Sequence, residues 1–459
     1  MKALVEDYLR KIELNKHLNA FLEVYADEAL QRAEVIDKKI ADGTSGRLAG
    51  LVIALKDNIC YKGHKVSASS KILAGFTSIY SSTVTERLLN EDAVIIGRCN
   101  CDEFAMGSSN ENSAYGNVLN AIDNSRVPGG SSGGSTVAVQ AGLCHAALGS
   151  DTGGSIRQPA SFCGVIGFKP TYGRVSRYGL VAYASSLDQI GPLTKSVEDT
   201  ALLTEVMSGM DEYDSTLSTK PAPVFSKFSG GKKTVRIAYI KDCLENPGLD
   251  PEIIARMEEI IADLRKDGNT VEAVDFPYLD YMVPAYYVIT TAEASSNLSR
   301  FGGILYGHRS KNATDIDSTY IKSRTEGFGT EVKRRIMLGT FVLSAGYYDT
   351  YYARAQKVRR ILRDKTTAIF EKYDFILLPT TPKTAFKFGA NQDPISMYLE
   401  DIFTVQAPLT GMPAISLPLG KHSNGLPFGV QLMANKFEES ALFEFSNELC
   451  KKYGLFAQS

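Results

Sequence analysis

The chain is poor in the features that would assign it quickly. Its 459 residues include seven cysteines, an odd and sparse set. Cys99 and Cys101 form a C-x-C with no second pair, too little for a zinc site. The expectation is reduced thiols and no metal. Charge of either sign is in no excess: 50 Lys+Arg against 52 Asp+Glu give −2, so the chain as a whole is not built to grip a polyanion. The basic run Lys357–Arg363 reads as a solvated helix face. No run approaches the ~20 apolar residues that span a bilayer. The first 19 residues carry charges throughout, unlike a signal peptide. The expectation is a soluble, cytoplasmic chain with no membrane contact.

Familiar catalytic signatures are missing too. There is no G-x-x-x-x-G-K-[ST] phosphate loop and no G-x-G-x-x-G after the first strand. Histidines number five, at 17, 64, 145, 308 and 422, and none lies in the serine clusters discussed below. That weakens a Ser-His-Asp triad. His64 falls in a turn, and His145 in an apolar segment where it reads as a core or strand residue.

What is present is an α/β pattern. Residues 1–40 predict two helices within an N-terminal helical segment of about 1–45. A buried strand is predicted over Leu48–Leu55, a helix over Ser82–Asn90 and a strand over Ala93–Gly97. Helix then strand are predicted within Thr136–Gly149. Further strands are expected at Val235–Ile240, Asp374–Leu378, Ala414–Leu417 and Gly429–Met433. Asp250-Pro251 supplies an N-cap and an N1 proline for a helix to about Lys266. The polar stretch 211–233 predicts a long surface connection. Composition does not change across it, so a single domain over 1–459 is expected.

One region departs from the average. Residues 129–154 hold eight glycines in 26 positions, where 39 in 459 predicts about two. They overlap two clusters, Pro128–Ser135 (PGGSSGGS) and Gly149–Arg157 (GSDTGGSIR). Glycine lets the backbone turn sharply and approach a ligand closely, and successive N–H groups in such turns form an anion cradle. A serine beside that cradle has what a nucleophile next to an oxyanion hole requires. A lone Gly-Ser cluster would read as a flexible turn or a phosphate cradle. The base remains to be found. Lys56 ends the apolar run Val52–Leu55 instead of lying on a polar helix face. To serve near pH 7.5 it needs its pKa lowered by ~3 units, about 4 kcal/mol of burial. A strand-end lysine alone would read as solvated.

Leu55–Asn58, PGGSSGGS at 128–135 and GSDTGGSIRQPA at 149–160, in that order and with Ser155 24 positions after Ser131, resemble the amidase signature family. The resemblance implies one α/β/α domain with a large mixed central sheet covered by helices on both faces. It implies a Ser–cis-Ser–Lys triad: Ser155 as nucleophile, Ser131 as the bridging serine in a cis peptide, Lys56 as base. The oxyanion would be held by the N–H groups of Thr152, Gly153, Gly154 and Ser155.

Further segments narrow the resemblance to one branch of that family, the A subunits of glutamine-dependent aspartyl/glutamyl-tRNA amidotransferases. These are Cys101–Ser109, Asn112–Gly116, Ala285–Tyr287, Ala292–Arg300, Lys333–Arg335 and Ser344–Asp349. Arg98-Cys99-Asn100-Cys101 stands where that branch leads one to expect Lys-Thr-Asn-Met. The branch implies hydrolysis of glutamine, with Arg335 on the substrate carboxylate, Asp401 on its ammonium and Tyr286 near the pocket; Glu400 rivals Asp401. It implies a heterotrimer in which ammonia passes to a B subunit. A small C subunit wraps the two, and charged tRNA binds mainly through B. ATP and magnesium are then used by B, with no cofactor in this chain. Three other readings are a stand-alone amidase with the same triad, a Ser-His hydrolase, and a non-catalytic anion-binding protein.

Overall fold

The computed structural model describes residues 1–228, 230, 234–390 and 393–455. Its strands, in chain order, are β1 Phe21–Val24, β2 Val52–Lys56, β3 Val94–Cys99, β4 Ala146–Asp151, β5 Ile166–Lys169, β6 Gln189–Thr194, β7 Arg236–Ile240, β8 Thr270–Val274, β9 Phe375–Pro379, β10 Ala414–Lys421 and β11 Pro427–Ala434. They form one 11-stranded sheet in the order β1-β3-β2-β4-β6-β5-β10-β11-β9-β7-β8. The sheet is mixed: β3-β2-β4 and β9-β7-β8 are parallel, and the remaining pairings are antiparallel.

Alternation along the strands explains the layering, because successive side chains point to opposite faces. On β2, Val52 and Ala54 pack with Val5, Ala33 and Val137 from the helices Lys2–Leu14, Ala26–Ala41 and Gly133–Gln140. Ile53 and Leu55 pack on the other face with Val84, Leu88 and Leu203 from the helices Thr83–Asn90 and Val197–Met207. Both faces here are covered, so β2 up to Leu55 and the first half of β4, Ala146–Leu148, read as continuous apolar runs.

Most predicted elements are found, with shifted edges. The strand expected from Leu48 starts at Val52; Leu48 closes a turn by accepting the N–H of Leu51 at 2.9 Å. Ser82 caps its helix through the N–H of Thr85 at 3.2 Å, and Asp250 caps Pro251–Lys266 through the N–H of Glu252 at 2.9 Å. The two-helix reading of residues 1–40 missed β1, a four-residue half-buried strand pairing antiparallel with β3. Strands β5, β6 and β8 were also unforeseen. β6 (QIGPLT) carries Gly191 and Pro192, residues that signal turns, yet it lies between β4 and β5. His145 is not a core residue: it precedes β4, is part-exposed, and faces Asp199 at 3.4 Å. The connection over 211–233 is irregular, and residues 229 and 231–233 lie outside the described residues. It is not purely superficial, since Phe225 is buried in the main core and Asp214 is buried as well. No helix among the described residues is long and apolar enough to cross a membrane.

Candidate active site

β2 and β4 are parallel neighbours, so both finish on the same side of the sheet, with Leu55 opposite Leu148. Lys56 therefore emerges beside Gly149–Asp151, and the turn 152–156 follows before the helix Arg157–Cys163. Pro128–Ser132 leads into the helix Gly133–Gln140 alongside, and the Gly130–Ser131 peptide is cis. The two serine loops are joined one residue from Ser131, where the N–H of Ser132 donates to the carbonyl of Ser155 at 3.1 Å.

Lys56 is fully buried. Its Nζ lies 2.6 Å from Ser131 Oγ and 3.0 Å from both Ser132 Oγ and Ser150 Oγ. Asn58 Nδ2 in turn donates to Ser150 Oγ at 2.9 Å. Burial pushes the Lys56 amine down to about 8, against a partial upward pull from the carboxylates of Asp102, Asp151 and Asp188. The Cys101 thiol, at the position where the sequence departs from the expected methionine, is itself pushed by burial to about 12 and is uncharged at neutral pH. All three are buried, Ser155 being the most accessible at 8% against 0% for Lys56 and Ser131.

Beyond β4, the N–H groups of Thr152, Gly153, Gly154 and Ser155 make no backbone hydrogen bond to the described residues. Unpaired donors converging beside a serine can stabilise negative charge on a carbonyl oxygen. Both glycines are dictated by crowding. A Cβ on Gly153 would lie 2.4 Å from the Tyr286 hydroxyl oxygen. One on Gly154, at φ +142°, would lie 2.3 Å from Thr404 Oγ1. Beneath the turn, Arg157 grips Asp151 with Nε at 3.0 Å and Nη2 at 2.9 Å, both side chains fully buried. Burial raises the Asp151 carboxyl, but the Arg157 guanidinium outweighs it and holds the group below its ordinary value. Asp151→Ala strands the guanidinium and is expected to cost about 3–5 kcal/mol, read by denaturant unfolding.

A second set of buried charges borders this turn. Arg335, on the helix Thr330–Leu343, is buried. Its Nε donates to Glu331 at 2.8 Å and its Nη1 to the Tyr183 hydroxyl at 2.9 Å. The guanidinium carbon lies 5.1–5.6 Å from the ring centres of Tyr183, Tyr287 and Tyr398, a cationic cage. Asp401 accepts from Ser108 Oγ at 2.9 and 3.1 Å and from the Tyr287 hydroxyl at 3.3 Å. Burial pushes its carboxyl up to about 7, opposed by Ser108 and Arg335. Tyr287 thus touches both charges, and Tyr286 packs edge-on to Tyr287 with its hydroxyl against Gly153. A cavity of about 280 Å³ opens beside Arg335, lined among others by Ser109, Glu331, Arg334 and Tyr398.

The structure brings Lys56, Ser131 and Ser155 together beyond the ends of β2 and β4, and gathers Tyr286, Arg335 and Asp401 around Tyr287; of these three, Arg335 lines the cavity. His64 pairs with Glu28 at 2.7 Å and His145 with Asp199, so each has an acidic partner of its own away from the serine loops. Among the described residues no cluster of His, Cys, Asp or Glu could hold a metal ion. Ser108, Tyr183 and Tyr398 escaped sequence reasoning. Ser108 and Tyr287 lie in segments that carry the family resemblance and could have been flagged there; Tyr183 and Tyr398 carry no local signal.

Fold and sequence together place the chain among amidases, enzymes that hydrolyse amide bonds. The amidase family model matches residues 3–443, and the chain belongs to that family. Among individual proteins it is similar to the A subunit of glutamyl-tRNA(Gln) amidotransferase from Chlorobium luteolum, 51% identical over 452 residues that cover 98% of this chain and 93% of that one. The protein of the same name from Koribacter versatilis is 52% identical over 450 residues, covering 97% and 93%. Of solved structures, the A subunit of glutamyl-tRNA(Gln) amidotransferase from Thermotoga maritima superimposes with a TM-score of 0.81 at 41% identity, over 99% of this chain and 92% of that one. A peptide amidase from Stenotrophomonas maltophilia gives a TM-score of 0.81 at 28% identity, over 98% and 93%.

Proposed function

We propose that this chain is the glutaminase component of a tRNA-dependent amidotransferase, with Ser155, Ser131 and Lys56 as its catalytic residues. The observation that carries the reading is the buried Lys56 amine, 2.6 Å from the Ser131 hydroxyl at the foot of the serine turn. An amine drawn down to about 8 is neutral in a useful fraction of molecules near neutral pH and can accept a proton.

Glutamine enters with its carboxylate on Arg335 and its ammonium on Asp401. The positive charge of that ammonium favours the ionised form of Asp401. The side-chain amide then lies over Ser155. Lys56 takes the Ser131 proton while Ser131 takes the Ser155 proton, and Ser155 Oγ attacks the amide carbon. The N–H groups of residues 152–155 hold the resulting oxyanion. As the C–N bond breaks, the proton returns from Lys56 through Ser131 to the leaving nitrogen, and ammonia departs. Water, activated by the same relay, cleaves the glutamyl ester to glutamate and restores Ser155. The ammonia passes to a B subunit, which uses ATP and magnesium to amidate Glu-tRNA(Gln), Asp-tRNA(Asn) or both; a C subunit completes the heterotrimer, and B makes most of the contact with tRNA. Two buried, opposite charges at one end of the pocket favour an amino-acid substrate over a plain amide.

The test is ammonia release from glutamine by the chain with its partner subunits, with and without ATP and charged tRNA. The Ser155 glutamyl adduct should be trapped by mass spectrometry. kcat/KM is expected to rise with pH through a pKa of about 8, because Lys56 acts only once deprotonated. A profile flat from pH 7 to about 9 would remove Lys56 as the base.

A further inference from the structure

The turn that would hold the oxyanion is fastened on two sides. On one, Thr152 Oγ1 donates to Asp188 Oδ1 at 2.6 Å. The same carboxylate accepts the N–H of Tyr183 at 3.0 Å and of Ala184 at 3.1 Å. Tyr183 is the residue whose hydroxyl takes the 2.9 Å hydrogen bond from Arg335. On the other side, Thr404 Oγ1 donates to the Gly153 carbonyl at 2.6 Å and stands 3.1 Å from the Asp401 carbonyl. Asp188 and Thr404 are both buried, so neither exchanges these partners for water. Neither belongs to the triad or reaches the pocket charges directly.

We propose that Asp188 and Thr404 are positioning residues that tie the oxyanion turn to the two groups holding the amino-acid end of glutamine. The inference rests on the glutaminase reading and adds to it that the substrate's charged ends raise kcat as well as affinity. A carboxylate seated on Arg335 fixes the guanidinium, and through Tyr183 and Asp188 fixes Thr152. An ammonium seated on Asp401 fixes residues 401–404, and through the Thr404 hydroxyl fixes Gly153. Contacts remote from the reacting carbon are then realised as alignment of the N–H donors in the transition state. An amide lacking those ends leaves the turn without that support.

The experiment compares glutamine with butyramide, the same carboxamide without the charged ends, on the full chain with its partner subunits. Thr404→Val keeps the shape and removes the hydroxyl. Asp188→Asn keeps the shape and turns one acceptor into a donor. Each is expected to lower the ratio of kcat for glutamine to kcat for butyramide about tenfold, with KM for glutamine shifting less than about threefold. Thr404→Ser is expected to restore the ratio. A ratio that stays constant while both rates fall together would reduce these residues to structural supports and overturn the inference. So would a change confined to KM. Should Asp188→Asn not fold, the Thr404 pair decides alone. A wild-type chain that hydrolyses butyramide and not glutamine overturns the glutaminase reading itself, a result visible before any variant is made.

Discussion

Ser155→Ala is expected to lower glutamine hydrolysis by about 10⁶-fold, Lys56→Met by about 10³-fold or more, and the double variant by no more than Ser155→Ala alone. The non-additivity follows from the geometry. The Lys56 amine reaches the substrate only through the Ser131 hydroxyl, so without the Ser155 nucleophile there is no proton for it to take. Steady-state ammonia release checks the losses; a double variant much slower than Ser155→Ala would show Lys56 acting by another route. Lys56→Met has a second consequence, in stability. The native amine titrates at about 8 instead of its ordinary 10.5. Between those values the unfolded chain binds the extra proton, so stability rises with pH across the window. The shift corresponds to about 3 kcal/mol of cost below pH 8. Removing the amine is expected to flatten that rise, measured as melting temperature against pH.

Arg335→Ala is expected to lower kcat/KM for glutamine by about 10²–10³-fold while leaving butyramide turnover within a few-fold of the parent. The guanidinium is the only buried cation facing the Tyr183–Tyr287–Tyr398 cage among the described residues, and Glu331 already fixes its Nε edge. The truncation also leaves Glu331 without this partner, although Arg334 and the Tyr398 hydroxyl still reach it. Arg335→Lys keeps the charge and loses the planar fork; it is expected to recover only part of the loss. Equal losses on glutamine and butyramide would mean that Arg335 supports the fold and does not read the substrate.

The proposed triad was legible because its residues lie in short, dense segments. Ser131 and Ser155 sit in glycine-rich turns 24 residues apart, and Lys56 stood out only in their company, since a strand-end lysine alone reads as solvated. The pocket was less so. Arg335 lies in a run of three basic residues that reads as a solvated face, and it is buried only because rings from residues 183, 287 and 398 close over it. Asp188 and Thr404 are ordinary residue types in ordinary contexts. What they do depends on partners 36 and 251 positions away, contacts that no local pattern encodes. Of the fold, strands with continuous apolar runs were visible. β1 is too short and half-buried, and β6 hides behind Gly191 and Pro192.

The residues that would break the amide bond all come from the stretch 56–155, while those facing the rest of the substrate arrive from 183 to 401. Bond-breaking and substrate choice are therefore written in successive parts of one gene product. The two parts are not independent, because Ser108 holds Asp401 while Asp188 and Thr404 hold the turn at 152–153.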